Sequence, residues 1–75
     1  MKKETLTIDC REMQPPEPFV KVLQMVNDLK ADEEIIMINR HEPGMLFTKL
    51  KELEMSYEVE KKPDGHVEIR IWKEN

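Results

Sequence analysis

In the stretch TLTID, Leu6 and Ile8 alternate with Thr5, Thr7 and Asp9, the period of a half-buried strand. After a proline-rich segment, Phe19, Val22, Leu23, Val26 and Leu29 recur at helical spacing, which predicts an amphipathic helix from about Pro16 to Lys30. ADE breaks that period. EIIMIN follows as a short, isoleucine-rich apolar run, as expected of an inner strand. RHEPG then offers Pro43 as the first residue of a second helix, marked by Leu46, Leu50 and Leu53 and running to about Glu54. MSYEVEK and HVEIRIWK alternate again, with Met55, Tyr57 and Val59 and then Val67, Ile69 and Ile71 inward. Between them KPDG is a turn signal, because Pro63 is preset for the second turn position and Gly65 can take a positive φ. The last two strands therefore form a hairpin.

The element order is β-α-β-α-β-β. The first two strands flank a helix, so they run parallel and are joined by a right-handed crossover. The hairpin's other face carries Ser56, Glu58, Glu60, Glu68 and Arg70, so both helices must cover the same side of the sheet. The expected fold is an α/β (α+β) two-layer sandwich, a mixed four-stranded sheet with two helices on one face, in a single domain over residues 1–75. The pattern does not fix the strand order.

Composition narrows the class of partner. A net charge of −4, with glutamates interleaved among the lysines, excludes a general nucleic-acid binder, which needs clustered Lys and Arg against phosphate. One cysteine excludes an intrachain disulfide and a multi-cysteine zinc site. The start, MKKETLTIDC, has no apolar leader core, and no apolar run is long enough to span a bilayer. The expectation is a soluble, cytoplasmic chain whose partner is another protein or a second copy of itself, with no membrane role.

Three prolines fall within four positions in QPPEPF. The first helical turn has amides with no internal partner, so Pro16 and Pro18 fit there, with Pro16 expected at the first helical position. Glu17 sets a carboxylate by the positive end of the helix, and Glu42-Pro43 repeats the design. In a parallel pair, both strand ends and both helix starts lie at one edge of the sheet, where open α/β folds place ligands. That edge gathers Cys10, Arg11, Gln14, Glu17, Asn39, Arg40, His41 and Glu42.

LTIDCREMQPPEPF resembles the signature of the TusA (SirA-like) sulfur-carrier family, approximately D-x-R-G-x-x-C-P-x-P. Asp9, Arg11, Pro16 and Pro18 stand where that family has its Asp, Arg and two prolines. The family shares the β-α-β-α-β-β order, so the resemblance spans nearly the whole chain. The persulfide-carrying cysteine would fall at Pro15 and the family's glycine at Glu12, so the implied sulfur transfer does not carry over, because the thiolate is the chemistry. The chain is most similar to an uncharacterised branch of the superfamily, the domain of unknown function 2249 type, in which PPEP replaces the cysteine motif and a His-x-Pro follows the second strand. His41-Glu42-Pro43 fits that second feature.

Each candidate residue has a plain structural role beside a chemical one. Cys10 follows Ile8 onto the inward face, where a free cysteine is a small apolar residue; exposed beside Arg11, it would be a reactive thiol. His41 is open to three roles: a metal or haem ligand, a proton shuttle, or a hydrogen-bonding latch to the Arg11–Gln14 loop. Only Cys10, Glu17 and Glu42 accompany it as donors, in no recognised metal spacing, so the expectation is no metal and no cofactor. Arg11 and Asp9 form a local ion pair, or Arg11 and Arg40 hold an anion. No nucleophile–base–orienter set and no Gly-rich phosphate loop is present, so no catalytic residue is assigned. Met25, Met45 and Met55 are expected to fill gaps in the core. Ile35, Met37 and Trp72 are expected to adjoin on the open sheet face as an apolar interaction patch.

These readings converge on a non-enzymatic binding module. Its expected binding set is Cys10, Arg11, Gln14, Pro15, Pro16, Glu17, Pro18, Arg40, His41 and Glu42. The alternatives are a sulfur-trafficking accessory and a metal or haem binder acting through His41.

Overall fold

The computed structural model describes residues 4–74. The first three residues of the start considered above for a leader lie outside the described residues, as does Asn75. Four strands and two helices follow in the expected order: β1 (Glu4–Asp9), α1 (Glu17–Asp28), β2 (Glu33–Asn39), α2 (Gly44–Glu52), β3 (Met55–Lys61) and β4 (Val67–Lys73). The sheet order is β1-β2-β4-β3. β1 and β2 are parallel, whereas β4 runs antiparallel to both β2 and β3.

Register places the core. Leu6 lies opposite Ile35 and Ile8 opposite Met37, while Ile35 meets Ile71 and Met37 meets Ile69. Side chains directly opposite share a face, so these residues form one apolar layer. Val22, Val26 and Leu29 of α1 and Leu46 and Leu50 of α2 are buried against it. Phe47 of α2 stacks on Tyr57 of β3, with ring centroids 4.7 Å apart and planes within 2°.

Ile35 and Met37 are therefore not on the open face. Both are fully buried under the helices, which overturns the expected patch with Trp72. β2 is apolar on both sides, so its own period cannot set its phase. Pairing with Ile69 and Ile71 of β4 sets it instead. The open face carries Ile36 between Thr7 and Arg70, and Ile38 between Asp9 and Glu68. Trp72 lies opposite Glu34 and Ser56 there and donates its indole N–H to Glu74 Oε1 at 2.9 Å. The Glu34–Arg70 ion pair, 2.9 Å, covers the same face, leaving a polar surface.

Both helices are also shorter than expected at each end, α1 closing at Asp28. Pro16 and Pro43 are the N-caps, one residue before the helices, and Pro18 is the proline inside the first turn. α2 stops at Glu52, leaving Leu53 as its C-cap, 46% exposed. The stop is made by Glu54 at φ 59°, a left-handed position usually held by glycine, and its N–H reaches Lys51 O at 3.1 Å. In the hairpin, Gly65 N–H donates to Lys62 O at 3.0 Å and Gly65 takes φ 97°. Lys62 N–H donates to His66 O at 2.9 Å, so residues 63–65 make a three-residue loop that ends on a left-handed glycine.

Candidate functional site

The β1 and β2 carboxyl ends lie side by side because the strands are parallel and in register from Glu4 and Glu33 onward. Each then turns through a short loop into its helix. Between the two loops lies a groove of about 300 Å³. Its walls are apolar: Pro15, Pro16, Pro18 and Phe19 from one side, Pro43, Met45 and Leu46 from the other, with Met13 between. Its rim carries Arg11, Arg40, His41 and Glu42, and Cys10, Met37 and Asn39 form its base. Of the residues the sequence assigned to this edge, Gln14 and Glu17 do not line the groove.

Asp9 fixes the first loop. It accepts from Arg11 N–H at 3.0 Å and Nε at 2.9 Å on Oδ1, and from Nη2 at 2.7 Å on Oδ2. This forked pair holds the Asp9 carboxyl at about 2, well below its ordinary 3.8, with the Arg11 side-chain hydrogen bonds as the largest cause. Because the folded value is depressed, whatever the fork adds to stability is complete above 3.8 and is lost as pH falls towards 2. A carbon-detected NMR titration of Asp9 is expected to give a midpoint near 2, and Arg11→Gln to return it towards 3.8. An Asp9 midpoint unchanged by that substitution would refute the fork.

Asn39 fixes the second loop. It is the one buried polar side chain among the described residues, 6% exposed, and its Nδ2 donates to His41 O at 3.0 Å. This bond lies within the second loop and does not reach the Arg11–Gln14 loop, and the His41 imidazole stays exposed on the rim. Glu42 pairs with Lys61 of β3 at 3.5 Å. Arg40 has no ion pair among the described residues, so it is the rim's unengaged cation.

Cys10 is 1% exposed. Its N–H donates to Ile38 O at 2.7 Å, continuing the β1–β2 ladder one residue past the strand. Burial pushes its thiol up from the ordinary range, and the Asp9 and Glu17 charges push it further. A buried, protonated thiol is a packing residue. Among the described residues, no three of His, Cys, Asp and Glu are grouped to hold an ion.

Two features escaped the sequence reading. Met45 was expected in the core but is 77% exposed at the groove mouth. Its neighbour Leu46 takes the buried position, four residues before Leu50, and that Leu46–Leu50 spacing is the signal that turns Met45 outward. At the hairpin turn, Asp64 Oδ1 accepts from His66 N–H at 3.2 Å and also meets His66 Nδ1, while His66 Nε2 lies 3.7 Å from Glu68. This cluster closes the turn and lies outside the groove.

A family model described as "Uncharacterized conserved protein (DUF2249)" matches residues 7–73. No curated protein and no solved structure matches the chain. No helix among the described residues is long and apolar enough to cross a membrane.

Proposed function

The chain belongs to the DUF2249 family, and from that premise we propose that it is a non-enzymatic binding module acting through the proline-walled groove. The carrying observation is the pairing of apolar walls with an inert base: prolines, Phe19 and Met45 line the groove, while its one thiol is buried beneath it. Four prolines give a wall with few conformations to lose on binding. A volume of about 300 Å³ is at the floor of the range for small-molecule sites and suits one or two inserted side chains. Arg40 on the rim favours a carboxylate beside them. The ligand we propose is a protein segment carrying an exposed apolar side chain next to an acidic one.

The relation to TusA-like sulfur carriers belongs to the same proposal. The Asp9–Arg11 fork and the two prolines at Pro16 and Pro18 support a shared loop shape, and Pro15 in the thiol position supports loss of the transfer chemistry. A cytoplasmic setting is also part of it, since one buried thiol calls for no oxidising compartment.

Peptides selected from a random library on the immobilised protein test the reading. They are expected to carry apolar–acidic pairs, to shift the amide signals of Phe19, Arg40 and Met45, and to bind Met45→Asp at least about tenfold more weakly. Met45 is exposed, so that variant keeps its fold. Peptides that bind Met45→Asp equally well would refute the groove. A persulfide on Cys10 after incubation with a cysteine desulfurase would favour the sulfur-trafficking alternative.

A further inference from the structure

β1 is an edge strand whose outer side lies open. Glu4 N–H donates to Asp32 O at 2.8 Å and Cys10 N–H to Ile38 O at 2.7 Å, so the even-numbered residues turn their backbone groups toward β2. By alternation, Thr5, Thr7 and Asp9 turn theirs outward, and all three are exposed. The other edge, β3, carries Glu58, Glu60 and Lys61 along its free half, the charged blunting that prevents strand addition. β1 carries its charges only at its two ends, Glu4 and Asp9; it contains no proline or lysine, and its middle reads Thr-Leu-Thr-Ile. Leu6 and Ile8 are only half-buried there, although they face the helices.

We propose that this edge pairs with β1 of a second copy, antiparallel about a two-fold axis through Thr7, to make one continuous sheet across the dimer. The register follows from chemistry. Residues directly opposite must share a face, so only pairings of like parity are allowed. Centring on Thr7 sets Thr5 opposite Asp9 of the second copy, and both residues have outward backbone groups. It sets Leu6 opposite Ile8, joining the half-buried apolar residues of the two copies on the helix side. Centring on Leu6 instead would place the Glu4 carboxylate against Ile8 inside the apolar pair, whereas the Thr7 register sets Glu4 opposite Cys10, one residue past the end of the strand. The edge is a single short strand, so the area covered falls below that of a standard interface of roughly 1,600 Å², and the dimer is expected to be weak.

Sedimentation velocity across the micromolar to sub-millimolar range reads the dimer directly. Wild type is expected to shift to dimer mass as concentration rises, with amide exchange at Thr5, Thr7 and Asp9 slowing in parallel. Thr7→Pro removes an outward N–H, which an edge strand tolerates, and is expected to weaken association at least about tenfold. If circular dichroism shows that variant unfolded, Thr7→Lys decides instead, with the same expected loss. Wild type that stays monomeric with fast exchange at those three amides would overturn the proposal, and so would a dimer that survives the substitution. Met45→Asp leaves β1 untouched, so failure here and failure of the groove are separate results.

Discussion

Ile69→Ala is expected to cost about 2–5 kcal/mol, the usual range for emptying a fully buried aliphatic site. At this chain length that corresponds to a fall of roughly 8–40 °C in the midpoint of thermal unfolding followed by circular dichroism. Ile69 is 0% exposed and sits in β4, the strand that pairs with both β2 and β3. It lies between Met37 and Val59 in the layer under the helices, so removing it opens a cavity walled on both sides by paired strands, which cannot close in. A domain of this size has a total stability of only about 4–11 kcal/mol, so the variant is expected to be partly unfolded at 37 °C. Val59→Ala supplies the contrast. Val59 has the same chemistry on the outer strand, is 36% exposed, and should cost under about 1 kcal/mol. Equal losses at the two sites would mean that β4 does not centre the core.

Hydrophobic alternation made the hairpin strands and β1 legible, because each has one apolar and one polar face. The same rule failed for β2. A strand with two apolar faces holds no phase of its own, so nothing within it decides between Ile35 with Met37 and Ile36 with Ile38 as the inward pair. Only the long-range pairing with β4 settles it. The strand order β1-β2-β4-β3 escaped for the same reason: nothing local tells a hairpin which of its strands docks against β2.

The site was legible through topology. Parallel β1 and β2 had to end together, so the loops holding Cys10, Arg11, Arg40 and His41 had to meet, and they do. What the sequence could not convey is which side chains point into the gap. Gln14 and Glu17 turn away from it, Met45 turns toward it, and Asn39 goes under it to hold the His41 carbonyl. Those choices depend on where each helix begins. Pro16 and Pro43 lie one residue outside the positions expected for them, and one residue rotates a helical side chain by about 100°. The Asp9–Arg11 fork has a further effect on the groove. By holding one guanidinium in the loop, it leaves Arg40 as the rim arginine without an ion pair among the described residues.

The native protein is expected to react with a maleimide at Cys10 about 10³–10⁴ times more slowly than the denaturant-unfolded chain. The thiol is 1% exposed, so modification waits for an opening of the β1 end. An opening that costs about 5 kcal/mol leaves it accessible for only one part in several thousand of the time. Burial and the nearby Asp9 and Glu17 charges also raise the thiol's pKa, so the thiolate fraction falls further. Pro15→Cys provides the control, because Pro15 is exposed on the groove wall. A thiol there should be labelled at close to the unfolded rate, in the same chain where Cys10 stays protected. The comparison isolates accessibility from the scaffold: two thiols five residues apart, one exposed on the groove wall and the other sealed beneath the loop. Native Cys10 reactivity within tenfold of the unfolded chain would put the sulfur-relay alternative ahead of the binding reading, because the buried base would then open readily enough to be charged.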